Sequence, residues 1–410
     1  MPESETITAC RACGHSPPLP VLSLGRQPLA NALRDGADLG RPEPSYPLDL
    51  AFCPACALVQ ITETLPPGAL FAEYPYFSSV ADEAVSRAGE LARRLVESRH
   101  LSPDSLVVEA ASNDGYLLRH YVASGVPVLG VEPASNVAAV AGRGGIPTWN
   151  RYFGPAVAVE IGPRADVLHA HNVIAHVADL GGFVAAVRDT LRPGGLAVIE
   201  TPTVLELVNS CAFDTIYHEH LCYYSLTSLR SLLAGHGLAV VGVERLAIHG
   251  GSLRVFAMRA AEGPTISEDV GELLEAEDAW GVRRFETYAA LAGRAETLRA
   301  DLLALLADLK ARGLSIAAYG ASAKGSTLLN YCGIGRETLD FVADRGPAKQ
   351  GRYTPGSGLP ILAPSALLER MPDVTLLLTW NFAAEILAQQ AEYRRRGGKF
   401  LVPIPSPRLV

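Results

Sequence analysis

Two Cys-x-x-Cys pairs lie near the start. Strand-like and helix-like segments alternate from about residue 80 to 262, and a further strand, glycine turn and helix follow residue 313. Together these predict an α/β protein with a metal-stapled N-terminal module (1–70), a doubly wound α/β unit (71–262), a helical linker (263–312) and a second, smaller doubly wound unit (313–410). A length of 410 residues suits this count, at ~100–200 residues per domain. The chain is 49% hydrophobic and 19% charged. That is too apolar for disorder and enough for a sizeable core.

The N-terminal module rests on Cys10-x2-Cys13 and Cys53-x2-Cys56, in the similar knuckles CRACG and CPACA. A CxxC turn lets two thiolates meet one ion at ~2.3 Å, and two such turns close a tetrahedral four-thiolate zinc site with no open position for catalysis. The other reading is four buried thiols. The 39 residues between the pairs are rich in Pro and Gly, so a module with little core of its own leans on a metal staple. Cys211, Cys222 and Cys332 are isolated and read as packing residues. Seven cysteines, four of them paired in this way, point to a reducing cytoplasm rather than a disulfide framework.

The first α/β unit opens with a helical pattern in EAVSRAGELARRLVESRH. In SLVVEAASNDGYLLRHYVASG a β-branched run enters a turn and a helix follows. The next strand, PVLGVEPA, ends near Glu132, 23 residues after Glu109. ADVLHAHNV, GLAVIETP, LAVVGVERL and SLRVFAMRA read as further strands. Ligands of such sheets sit at the carboxyl ends of the strands. The first turn runs through Glu109, Ser112, Asn113, Asp114 and Gly115, whose polar side chains can face a ligand. Glu132 can accept from two ribose hydroxyls. A dinucleotide fingerprint would need GxGxxG, and the first two glycines are missing. A nucleoside without phosphates, such as S-adenosylmethionine, fits better. The alternative is an ordinary turn capped by Asn113 or Asp114.

After the GLAVIETP strand lies FDTIYHEHLCYYS (213–225), with two His, one Glu and three Tyr in close succession. Such groups move or stabilise protons near neutral pH. Three readings stand: an acid/base loop, a metal site from the His-x-His spacing, and a capped helix start with satisfied histidines.

In the linker, LLALLADLKARG has helical apolar spacing and ends on Gly313 as a C-terminal cap. The second unit opens with LSIAAYGASAKGSTLLNY. Its Ser322, Lys324 and helix N-terminus can hold a diphosphate. A nicotinamide site and a purely structural unit are the other readings. Lys349 and Arg352 are candidate phosphate contacts or simply a solvated basic turn.

The order E-x-x-S-N-D-G, G-V-E-P, H-N-V-x-A-H, R-P-G-G and I-E-T-P resembles class I S-adenosylmethionine methyltransferases. The paired CxxC, YFSS, SNDG, NVIAH, YHEHLxYYS, HGGSLR and YGASAKG…KQGRY together closely resemble the sugar C-methyltransferases of deoxysugar biosynthesis over essentially the whole chain. The resemblance implies a Rossmann-like methyltransferase domain, a second Rossmann-like domain, structural zinc, and methylation at C-3 of a thymidine-diphosphate-linked 4-keto-6-deoxy sugar. It implies His220 as general base, with His176, Tyr217 and Glu219 lining the same site. It implies donor contacts at Pro133, His171 and Asn172 besides the turn, and substrate contacts at Tyr76, Ser79 and Tyr224. One departure is Ala111, where the family's first turn usually has glycine; its methyl would crowd the donor's methionine end.

These readings make the chain an enzyme. A zinc-module adaptor for nucleic acid is disfavoured by a net charge of −8 and the lack of a basic stripe near Cys10–Cys56. A nicotinamide-dependent ketosugar reductase or epimerase would need the missing fingerprint. No long uncharged apolar run suggests a membrane span, and the polar start carries no signal-peptide core. Oligomeric state stays open, a monomer included.

Overall fold

The computed structural model describes residues 3–71, 77–80, 82–246 and 251–410. The N-terminal module is an antiparallel sheet in the order Cys222–Tyr223, Val59–Ile61, Ser45–Phe52, Leu19–Pro28. Its first strand does not belong to the module in sequence. It comes from the 213–225 loop and pairs Cys222 with Gln60 and Tyr223 with Val59. The isolated reading of Cys222 holds, since it packs fully buried at this seam.

The central sheet has seven strands in the order Leu238–Leu246, Ser252–Arg259, Leu191–Pro202, Ala165–His171, Val107–Ala110, Val128–Val131, Thr148–Trp149. Only Ser252–Arg259 runs antiparallel to its neighbours. The helix that leads into the sheet, Asp82–Ser98, buries Ala88, Leu91, Ala92 and Leu95. Their i, i+3, i+4, i+7 spacing is one face of a helix. Thr148–Trp149 and Cys222–Tyr223, two residues each, are too short to carry an alternating pattern in the sequence.

The linker segment forms helices Glu268–Trp280 and Phe285–Ala311. The second packs on the N-terminal module, where Tyr288 stacks on Phe52 at 4.6 Å between ring centroids. Its end is a left-handed Gly313 at φ +79°, the conformation glycine takes without steric cost. The C-terminal sheet runs Ile361–Leu362, Val342–Ala343, Ile316–Tyr319, Val374–Leu377, Lys399–Val402, Arg408–Leu409, parallel except for the last pair. One continuous apolar core joins Leu50 and Phe52 of the first module, Ile199 and Phe213 of the central unit and Leu328 and Leu376 of the last.

Candidate active site

The four cysteine Sγ atoms lie within 4.8 Å of one another. Cys10–Cys56 are 3.6 Å apart and Cys13–Cys53 3.5 Å apart. A tetrahedral ion with ~2.3 Å Zn–S bonds sets thiolates roughly 3.8 Å apart, so the cluster fits zinc. The two knuckles share one backbone turn: Cys10 N donates to His15 O and Gly14 N to Cys10 O, as Cys53 N does to Leu58 O and Ala57 N to Cys53 O. All four coordination positions are taken by the chain, so the zinc is structural.

The turn after Val107–Ala110 folds through left-handed Ala111 (φ +56°), Asn113 (+49°) and Gly115 (+78°). At Gly115 a Cβ would sit 2.8 Å from the Ile146 side chain, so the tight turn requires glycine. Glu132, at the end of the next strand, accepts from Asn113 N and Ala134 N, both at 2.8 Å. Asn150 Nδ2 braces it by donating to the carbonyls of Glu132 and Pro133. Burial pushes the Glu132 carboxyl up, against the pull of those two amides. Glu109, fully buried, is pushed well above the usual range by burial first and then by Glu132 and Asp114.

Glu109 Oε2, Ser112 Oγ and Asp114 Oδ1 are buried without a hydrogen-bond partner among the described residues. Two carboxylates and a hydroxyl with unmet acceptors, beside the third carboxylate Glu132, suit a ligand that brings cations and hydroxyls and repel one that brings phosphates. S-adenosylmethionine carries a sulfonium, an ammonium and a ribose diol, and these residues fit it. Ser78 N and Ser79 N donate to Asn113 Oδ1 and Asp114 Oδ2, which seats the 77–80 segment on this turn. Ser79, expected at the substrate, is thus placed at the donor turn. Tyr76 lies outside the described residues.

His171 and Asn172 end the strand Ala165–His171. Asn172 N donates to Glu200 O. The His171 ring is turned inward, into a polar row of Tyr121, His169, His171, Glu200 and Arg254. Burial, reinforced by Arg254, drives His171 down to about 3. It supports the strand end from beneath and is not free to contact a donor, which corrects the sequence expectation.

The 213–225 loop reaches the same carboxyl edge, since Leu221 N donates to Ala175 O. His220 Nδ1 meets Thr215 O at 3.1 Å, which assigns the ring proton to Nδ1. Nε2 then accepts from the Tyr217 hydroxyl at 2.7 Å. His176 packs edge-on to His220 with 4.9 Å between ring centroids. Its Nδ1 donates to Glu219 O at 2.6 Å, and burial lowers it to about 4 against the carbonyls of Glu219 and Asn172. That N–H is thus given to the main chain of the 213–225 loop. The Glu219 carboxylate turns away from both histidines to the Asn31 amide of the N-terminal module, at 2.8 and 2.9 Å. Burial raises it to about 7, with Asn31 opposing. His218 belongs to the module's packing, through Pro47 O at 3.0 Å and the edge of Tyr46. No described cluster of metal-ligating groups forms here.

Tyr224, expected at the substrate, is fully buried with its hydroxyl donating to Ile174 O at 3.2 Å, so it is a core residue. Ser322 accepts from Gly325 N and caps its helix. Arg352 donates to Leu33 O and Asp35, which makes it an interdomain tie rather than a phosphate contact. Lys324 alone of these faces the acid/base loop. Its ammonium lies 5.7 Å from the Trp380 ring centroid and its charge acts on Asp214. The turn beside it is closed by the chain itself: Lys349 Nζ donates to Ala321 O at 2.8 Å, and Asp344 accepts from Ala321 N and Gly346 N.

A family model described as "C-methyltransferase C-terminal domain" matches residues 247–405, one described as "Methyltransferase domain" matches 83–243, and one described as "Putative zinc binding domain" matches 10–71. The C-methyltransferase NovU of Streptomyces niveus is 39% identical over 408 residues, covering 98% of this chain and 97% of that one. The chain belongs to this C-methyltransferase family. Among solved structures it is similar to the magnesium protoporphyrin IX methyltransferase ChlM of Synechocystis, at 12% identity and a TM-score of 0.34 over 43% of this chain and 79% of that one. It is also similar to the PH0226 protein of Pyrococcus horikoshii, at 15% identity and 0.37 over 47% and 98%. No helix among the described residues is long and apolar enough to cross a membrane.

Asn31, Asp214 and Trp380 went unnoticed in the sequence. Asn31 and Trp380 sit far from the YHEH motif, while Asp214 lies inside the flagged loop among louder His and Tyr signals.

Proposed function

We propose that this C-methyltransferase transfers a methyl group from S-adenosylmethionine to C-3 of a thymidine-diphosphate-linked 4-keto-6-deoxy sugar through a base-generated enolate. The observation that carries the reading is the His220–Tyr217 pair: an imidazole with its proton fixed on Nδ1 and a phenol 2.7 Å from the unprotonated Nε2. The two groups are hydrogen-bonded to each other, so an entering C–H has to replace the Tyr217 hydroxyl at Nε2, which frees that hydroxyl for the sugar's oxygen. The ketone at C-4 acidifies the C-3 proton. His220 Nε2 takes that proton, and the C–H electron pair becomes the enolate. Tyr217 donates to the developing oxyanion, a contact worth about 3–4 kcal/mol of barrier. S-adenosylmethionine, when bound, supplies an electrophilic methyl. As the ketone re-forms, C-3 would bond to that methyl while the donor's S–CH3 bond would break, its electron pair staying on the sulfur of the departing S-adenosylhomocysteine, and His220 would release its proton to solvent. His176 and Glu219 brace the loop, Glu132 and Asp114 hold the donor, and Lys324 offers a charge to the nucleotide sugar.

The test is mass spectrometry on a panel of nucleotide 4-ketosugars incubated with enzyme and donor, together with C-3 proton exchange in deuterated water. His220→Asn should lower both exchange and methylation by ~10²–10⁴ while both ligands still bind. Near wild-type exchange in His220→Asn would move the base elsewhere.

A further inference from the structure

The acid/base loop begins with a short turn, Phe213–Thr215, and that turn is docked on the C-terminal domain. Phe213 packs on Tyr331 with 4.9 Å between ring centroids. Asp214 is fully buried and accepts from the Trp380 indole at 2.7 Å. Lys324, beside Trp380, is the cation facing Asp214. Burying a carboxylate without partners costs several kcal/mol, so the Trp380 indole, which meets Asp214 Oδ2, holds the turn where it is, while Asp214 Oδ1 is buried without a hydrogen-bond partner among the described residues. The next residue carries the consequence. The Thr215 carbonyl takes both His220 Nδ1–H at 3.1 Å and the Tyr223 hydroxyl at 3.3 Å. That carbonyl decides which ring nitrogen of His220 carries the proton and which way Nε2 points.

We propose that Asp214 is a positioning residue: held by the Trp380 indole of the C-terminal domain, it fixes the Thr215 carbonyl that sets the tautomer and direction of His220. The base is then aligned only while the C-terminal domain is seated. This rests on the reading of His220 as the base, but the tautomer it sets is measurable independently of activity. A displacement of about 1 Å of a reacting group costs ~10²-fold in rate, so small slippage of this turn suffices to be seen.

The experiment uses the full-length enzyme labelled with ¹⁵N-histidine, with the His220 signals assigned by their loss in His220→Asn. Asp214→Asn keeps an acceptor for Trp380 but removes the charge facing Lys324. Trp380→Phe keeps the ring and removes the donor. Both should populate the Nε2–H tautomer of His220 that the wild type lacks. Both should also lower kcat by about 10- to 100-fold with KM for the sugar nucleotide changed less than about twofold. An unchanged His220 tautomer in both variants overturns the proposal, even if kcat falls, because a merely structural aspartate would lower kcat through stability alone. A changed tautomer with unchanged kcat keeps the positioning role and instead sinks His220 as the base. If Asp214→Asn does not fold, Trp380→Phe decides by the same two readings.

Discussion

The acid/base loop is held from two sides by different kinds of contact. The zinc module grips it mainly through main chain: Cys222 and Tyr223 complete the module's sheet, Ile61 N donates to Leu221 O, and His218 reaches Pro47 O. The C-terminal domain grips it through side chains, with Trp380 on Asp214 and Tyr331 on Phe213. Backbone pairing tolerates almost any side chain and fixes where the loop runs. Side-chain docking fixes how the loop's start is oriented and can be lost one bond at a time. The zinc therefore matters to the chemistry without touching it. The four thiolates hold the first module closed, and the module holds the loop, including the Asn31–Glu219 contact.

The most severe way to break the comparison is to remove the metal. Structural zinc is worth ~10–16 kcal/mol in small metal-dependent folds, against a net stability of roughly 5–15 kcal/mol for a typical domain. Cys53→Ala should cost soluble yield and thermal stability, and activity should fall together with the loss of zinc measured by mass spectrometry. A folded, zinc-free variant with full turnover would show that the loop's path does not depend on the module.

A smaller effect sharpens the comparison by pH. Glu219 goes from 4.5 to about 7 on burial in the fold. Its folded value is the higher one, so the folded state binds more protons than the unfolded chain between these two values. Stability from this group is fully present below about 4.5 and is lost as pH rises through about 7, by up to about 3 kcal/mol. Glu219→Gln keeps an acceptor for Asn31 and removes the titration. Its melting temperature should fall less than the wild type's between pH 5 and 8. Parallel pH profiles for the two proteins would mean that Asn31 and the surrounding main chain stabilise the carboxylate fully.

Much of this was legible before any coordinates. The cysteine knuckles, the alternation of strands and helices and the placement of Glu109 and Glu132 at two strand ends depend on local sequence and on period, and the structure has them in place. What escaped is non-local. Asn31 meets Glu219 across 188 residues, and Trp380 meets Asp214 across 166. No periodicity or spacing connects such partners; only the packed fold does. The same cause misled the reading of several motif residues. Tyr224 and His171 sit within motifs that carry function, but polar residues next to a site are often its buried supports, satisfied by each other or by backbone. Arg352 looked like a phosphate ligand because a basic turn in isolation has no partner. The partner, Asp35, is 317 residues away.

The smallest effect belongs to that tie. The loop at residues 31–43 of the zinc module also touches the C-terminal domain: Arg34 and Tyr353 exchange backbone hydrogen bonds, Gly356 N donates to Glu43, and Arg352 reaches Leu33 O and Asp35. The two grips on the acid/base loop are thus also joined directly to each other. Arg352 and Asp35 are well exposed, with side-chain exposures of 39% and 69%, so water and salt screen their attraction. Such pairs are worth ~0–1 kcal/mol. The paired backbone of Arg34 and Tyr353 remains when the guanidinium goes. Arg352→Ala should therefore shift the melting temperature by no more than a few degrees and leave KM for the sugar nucleotide within about twofold, at low and high salt alike. A tenfold rise in KM, reversed by Arg352→Lys and weakened by salt, would instead put this side chain on the substrate's phosphates. The tie between the two gripping domains would then be backbone alone.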